Sequence, residues 1–112
     1  MKITSEDMEG VEVVRVSVKT LDADNAPEFG RQLVPLVERS DRILLDLEDV
    51  AFVDSSGLGA ILDFLRGLGD QETTLKICRP ARAVRSVMRM VGMHRLVPVF
   101  DTLDEALASF RS

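Results

Sequence analysis

The stretch DLEDVAFVDSSGLGAIL, residues 46–62, constrains this chain more than any other. An apolar strand, residues 43–47, runs into an acidic turn, Glu48-Asp49, and then a short extended piece, Ala51-Phe52-Val53. Asp54-Ser55-Ser56-Gly57 follows, and the apolar spacing after it predicts a helix that begins near Leu58. Two adjacent hydroxyls therefore fall where a helix starts. The first backbone N–H groups of a helix have no partner inside it, so a serine oxygen can accept from them. The same donors, with the positive end of the helix dipole, suit an anion such as phosphate. Gly57 lets another backbone approach closely, and Gly59 is expected to allow tight packing of the first turn.

The rest of the chain repeats the alternation of strand and helix. Residues 1–10 are polar and read as a short first strand or a frayed arm. Residues 11–18 read as a strand with Val14, Val16 and Val18 on one face and Val11 and Val13 on the other. Asn25, with Glu28 three residues later and Pro27 in the first turn, resembles a capping-box helix start. Ala26, Phe29, Leu33 and Leu36-Val37 carry that helix to about Arg39, and Pro35 inside it predicts a kink or a split. Residues 42–47 form a nearly continuous apolar run, as in a strand covered on both faces. Leu58, Ile61, Leu62, Leu65 and Leu68 make the next helical stripe, which Gly67, Gly69 and Asp70-Gln71 end.

Residues 73–78 are the next strand. Pro80 suits the first turn of a third helix, with Val84, Val87, Met88 and Val91 buried and Gly92 as cap. Residues 96–100 read as a short strand that Pro98 confines to an edge. Asp101 or Thr102 caps a final helix, with Glu105 placed to reciprocate Thr102 and Leu103, Ala106, Leu107 and Phe110 docking it. Strands alternating with helices argue for an α/β fold with crossover helices on a mostly parallel sheet. At 112 residues, with no linker or repeat, the chain reads as one domain, residues 1–112.

Several function classes lack support. A net charge of −5 does not suit a molecule held to nucleic acid or an anionic membrane by its overall field. No apolar run approaches the roughly 18 residues of a membrane span, and no apolar signal region opens the chain, so a soluble cytoplasmic protein is expected. Cys78 is the sole cysteine and His94 the sole histidine, which excludes an internal disulfide and a zinc site built from Cys and His alone. The G-x-S-x-G context of a serine hydrolase and a Walker motif are both absent.

Asp46-Leu47, Phe52 and the unbroken Asp54-Ser55-Ser56-Gly57-Leu58-Gly59 resemble, in order, the signature of the STAS family of bacterial anti-sigma factor antagonists. Leu21-Asp22 resembles the Leu-Asp before that family's first helix, and residues 80–92 and 101–107 resemble its third and last helices. Lys19-Thr20, where antagonists often carry Gly-Glu, and Pro35 depart from the pattern. The resemblance implies a small single domain with a mixed, mostly parallel sheet of four to five strands and about four helices. It implies a non-catalytic protein without metal or cofactor. Its partner would be an anti-sigma factor of the GHKL-type serine kinase class, which supplies the ATP. The kinase would phosphorylate Ser55, a phosphatase acting on phospho-Ser55 would reverse this, and the unmodified form would free a sigma factor. Asp22, Asp54, Ser55, Ser56, Gly57 and Leu58 are the candidate partner-binding residues.

Each candidate also has a plainer reading. Without the motif, Ser55 is a cap or turn residue. Ser56 is best read as the structural cap, Asp54 equally as a turn carboxylate or as an orienting group for Ser55, and Asp22 and Asp24 as turn residues. Residues 76–95 hold Lys76, Arg79, Arg82, Arg85, Arg89 and Arg95 and no acidic residue. Arg82, Arg85 and Arg89 share a helical face that reads first as a solvated balance to an acidic body, then as a docking stripe for an acidic partner, and more weakly as a nucleic-acid contact, since no aromatic residue interleaves with it. Met88, Met90 and Met93 read as core, or as adaptable contact where exposed. Two other functions stay open: a STAS scaffold in a signalling assembly or membrane transporter, and a small enzyme or nucleotide-binding protein using the Ser-Ser-Gly turn as an anion site.

Overall fold

The apolar run of residues 43–47 is completely buried, and the sheet is built around it. In the computed structural model, which describes residues 1–68 and 73–111, β4 (Arg42–Asp46) is the central strand. It pairs in parallel with β2 (Val11–Ser17) on one side and β6 (Thr74–Cys78) on the other. Strand β7 (Val99–Phe100) adds to β6 in parallel, and β1 (Lys2–Met8) adds to β2 as an antiparallel hairpin arm. The order is β1-β2-β4-β6-β7, a mixed and mostly parallel sheet of five strands with four helices. A separate two-stranded pair, β3 (Thr20–Leu21) with β5 (Phe52–Val53), runs parallel beside it.

Side-chain alternation decides which helix lies on which face. Val14, Val16, Ile43, Leu45 and Ile77 point to one side. There they meet Phe29, Leu33 and Leu36 of α1 (Ala26–Arg39), Leu58 and Ile61 of α2 (Ser55–Gly67), and Val84 and Met88 of α3 (Arg82–Met90). Val11, Val13, Leu44 and Cys78 point to the other side, where Ala106, Leu107 and Phe110 of α4 (Leu103–Phe110) cover them. Beyond its exposed first residue, Arg42, β4 is buried on both faces and carries no polar side chain until Asp46.

Several sequence expectations need correction. Of the two readings of the polar N-terminal residues the strand holds and the frayed arm does not, since β1 pairs with β2 along seven residues and leaves its charged side chains in water. Helix α1 continues unbroken through Pro35. Pro35 and Arg31 lie on the exposed side, so water can take the orphaned carbonyl, while Leu33 and Leu36 hold both halves on the sheet. Helix α3 begins at Arg82, not Pro80, because Arg79 turns the chain in the left-handed region (φ 56°) while bonded to Asp46. Val91 is 51% exposed: Gly92 adopts φ 76° and ends the helix before that position reaches the core. The expected strand at residues 96–100 shrinks to Val99–Phe100, preceded by a 3-10 turn at Met93–Arg95 that buries Met93. The expected stop at Gly69 and Asp70-Gln71 falls outside the described residues; α2 itself ends at Gly67.

One buried carboxylate secures the turn that follows β4. Asp46 accepts from Arg15 Nε (3.2 Å) in β2, from Arg79 just beyond β6, and from the backbone N–H of Glu48 (3.1 Å). Arg79 also pairs with Glu48 at 2.7 Å. Its bond to Asp46 holds the Arg79 guanidinium above its ordinary pKa. Three neighbouring strand ends and the Glu48-Asp49 turn are thereby tied at the carboxyl edge of the sheet, where α2 starts.

Candidate functional site

The turn from β5 into α2 is shaped by three backbone-level contacts. Asp54 N–H donates to Leu21 O (3.1 Å), which continues the β3–β5 pairing by one residue. Asp54 Oδ1 accepts from Gly57 N–H (2.9 Å), so the carboxylate caps α2. Gly57 then lies against β3 so tightly that a Cβ there would sit 2.3 Å from Leu21 O. The close approach expected of Gly57 is present, and Leu21 is the backbone it meets. At Gly59 a Cβ would meet nothing within 4 Å, so Gly59 does not serve tight packing.

The capping role is thus taken by Asp54, and the expectation that Ser56 caps the helix is corrected. The helix starts at Ser55, three residues earlier than its apolar pattern suggests, because the pattern registers only the buried face. Ser55 and Ser56 are both exposed in the first turn. Their N–H groups find no acceptor, and the Ser55 hydroxyl no hydrogen-bond partner, among the described residues. Leu58 turns into the core (7% exposed), so it supports the site from below.

Asp22 lies on the adjoining loop, because the parallel pairing of Leu21 with Val53 brings the ends of β3 and β5 side by side. That loop is internally bonded. Asp22 Oδ1 accepts from Asp24 N–H (3.0 Å), and Asp22 O accepts from Ala26 N–H (2.8 Å). Asn25 does not form the expected capping box. Its Oδ1 accepts from Asp22 N–H and its Nδ2 donates to Thr20 O, both at 2.9 Å. The amide side chain faces back and fixes the Asp22 loop against β3, while Glu28 accepts from Gln32 at 3.1 Å.

The structure therefore brings Asp22, Asp54, Ser55 and Ser56 together at the carboxyl edge, above a floor of Gly57 and Leu58. An apolar groove of about 780 Å³ runs from Ser56 between α1 and α2, past Pro27, Val34, Ala60 and Phe64. Three contributors were not legible as site residues: the Leu21 carbonyl, Asn25 and the Asp46–Arg15–Arg79 cluster. Asp46 did leave a signal, a lone carboxylate ending a fully apolar strand. The Leu21 carbonyl left none, since its partners Asp54 and Gly57 lie far along the chain, and Asn25 signalled a forward helix cap although its side chain bonds back to Asp22 and Thr20.

No group of three or more His, Cys, Asp or Glu side chains is arranged to hold a metal ion among the described residues. Cys78 is buried in β6, and burial, with the nearby Asp46 charge, pushes its thiol up to about 12. A neutral, covered thiol is not a nucleophile. Nor is any helix among the described residues long and apolar enough to cross a membrane.

Comparison with known proteins agrees with this architecture. The anti-sigma F factor antagonist of Paenibacillus polymyxa is 28% identical over 109 residues, covering 96% of this chain and 92% of the relative. The crystal structure of an anti-sigma factor antagonist from Mycobacterium paratuberculosis superposes with a TM-score of 0.88 at 29% identity, covering 99% of this chain and 94% of that one. A murine solute carrier anion transporter shares the fold alone: 17% identity, TM-score 0.78, covering 92% of this chain but 18% of the transporter. The STAS domain pattern matches residues 2–106, and the chain belongs to the STAS domain family.

Proposed function

We propose that this chain is a cytoplasmic, non-catalytic anti-sigma factor antagonist whose switch is Ser55. Unphosphorylated, it binds an anti-sigma factor of the GHKL-type serine kinase class and so frees a sigma factor. Phosphorylation of Ser55 weakens that complex, and a phosphatase restores it. The antagonist names of its relatives support the general role. The observation that carries the switch is the Ser55 hydroxyl, exposed in the first turn of α2 and uncommitted among the described residues because Asp54 takes the capping bond.

The physical consequences of modification follow from that position. A phosphate adds a charge of roughly −1.5 to −2. The open N–H groups of Ser55 and Ser56 and the positive end of α2 accommodate it, so the fold survives. The neighbouring carboxylates of Asp54 and Asp22 make the modified edge strongly negative. A partner that presents an acidic or apolar patch there is repelled or left poorly solvated, which is a change in binding and not in fold.

Intact-mass analysis after incubation with candidate anti-sigma kinases and ATP tests this. One added phosphoryl group on the wild type and none on Ser55→Ala is expected, with loss of kinase affinity in the modified form. Binding without modification would make the chain a constitutive binder. Neither binding nor modification across several kinases would refute the antagonist reading and favour a scaffold role.

A further inference from the structure

Residues 76–95 contain six basic residues and no acidic one, while the rest of the chain has eight basic against nineteen acidic. The fold separates the six into two sets. Lys76 Nζ donates to the backbone and side-chain oxygens of Ser109, both at 2.9 Å, and lies 4.4 Å from the Phe110 ring centre. Arg79 is held by Asp46 and Glu48, and Arg85 pairs with Asp101. Arg82, Arg89 and Arg95 remain, exposed and without an acidic partner among the described residues.

Apolar side chains share this surface. The exposed positions of α3 are Arg82, Ala83, Ser86, Arg89 and Met90, a single face with no carboxylate. Met90 is 82% exposed, and the turn beyond the helix adds Val91 at 51% and Leu96 at 67%. Unpaired guanidinium groups beside solvated apolar side chains give a surface two complementary affinities. Arginine binds carboxylates through paired donors, and the apolar groups gain by leaving water.

We propose that this face docks a short protein segment that carries both acidic and apolar side chains. Charge complementarity selects the acidic component, and Met90, Val91 and Leu96 select the apolar one. An extended polyanion fits less well, because a bilayer or a duplex would also confront the acidic remainder of the molecule. A short segment meets only the face, roughly 13 Å of helix. No aromatic side chain interleaves with the arginines for base stacking. Helix α3 leaves the carboxyl edge of β6 and returns to the amino edge of β7, so Met90, Val91 and Leu96 lie across the sheet from Ser55. The apolar part of the docking face thus lies at the far edge from the Ser55 switch, while Arg82 at the start of α3 is on the same carboxyl edge.

The test is fluorescence anisotropy of the full chain with a labelled peptide of alternating Glu and Leu, beside the same peptide with Gln for Glu. The Glu peptide is expected to bind with an affinity that falls with salt, and the Gln peptide about tenfold more weakly. The R82E/R89E/R95E variant should lose about tenfold or more, and Met90→Ser with Leu96→Ser should also weaken binding. All five positions are exposed, and an unchanged melting temperature verifies each variant's fold. Amide chemical shifts should move along residues 82–96 and not at Ser55. Equal affinity for the Gln peptide, shifts elsewhere, or binding to phosphatidylglycerol vesicles without peptide binding would overturn the proposal.

Discussion

The starts of α2 and α4 carry the same kinds of residue and use them in opposite ways. At α4 the Thr102 hydroxyl accepts from Glu105 N–H (3.1 Å) and donates to the Glu105 carboxylate (2.9 Å). The hydroxyl is fully engaged as the cap. At α2 the residue before the hydroxyl is Asp54, whose carboxylate takes the capping bond and leaves Ser55 outside it. A hydroxyl at the cap position is consumed by the helix. A hydroxyl one residue later, behind a capping carboxylate, stays available for chemistry.

The largest expected effect comes from closing the space that holds the α2 start in place. Gly57→Ala forces a methyl against the Leu21 carbonyl, with little room to relax because that oxygen also accepts from Asp54 N–H. A loss of about 3 kcal/mol is expected in urea denaturation. Phosphorylation at Ser55 should fall as well, because the turn shifts away from Leu21.

Capping comes next. Asp54→Ala should cost about 1–2 kcal/mol and Asp54→Asn much less, since an amide oxygen can still accept from Gly57 N–H. Thr102→Ala should cost about 1 kcal/mol. If Asp54→Ala proved neutral in thermal melts, the carboxylate would not be the cap and the contrast between the two helix starts would fail. Ser55→Ala should change stability by no more than about 0.5 kcal/mol while abolishing modification. A large loss on that substitution would mean that Ser55, like Thr102, supports its helix.

Cys78 has no effect at neutral pH and shows one only in alkali. Its folded pKa, about 12, lies above the ordinary 9.0. Folding therefore favours the neutral thiol. That contribution is full below about pH 9 and lost as pH rises toward 12. Chemical denaturation over that range should show a decline that Cys78→Ala lacks, and native-state alkylation should be slow until the sheet opens. In Gly57→Ala, faster alkylation would mean that the disturbance reaches beyond the turn into β6.

Most of the strands, the helices and the D-S-S-G-L-G turn were legible because their signals are local, whereas the two-residue β3 left no signal of its own. Val14 and Val16 alternate with Val11 and Val13, and the two sets do face opposite layers. Thr102 and Glu105 sit three residues apart, and the Thr102 hydroxyl bonds both the backbone N–H and the carboxylate of Glu105 within one turn. Asn25 and Glu28 have the same spacing, yet Asn25 bonds backward to Asp22 and Thr20 because β3 presents backbone groups there. The Arg82, Arg85 and Arg89 stripe was legible as a stripe, but Asp101, from the loop after β7, removes Arg85 from it.

The sequence by itself determined the α/β alternation, the glycine at the close approach and a serine pair at a helix start. These follow from periodicity, sterics and the unmet N–H groups of a first turn, all of which act over a few residues. Tertiary structure alone decided what the Leu21 carbonyl accepts, which arginines lack an acidic partner among the described residues and what Asp46 holds. Those outcomes are competitions among donors and acceptors brought together from separate strands, and each is won by the group that the finished sheet places closest.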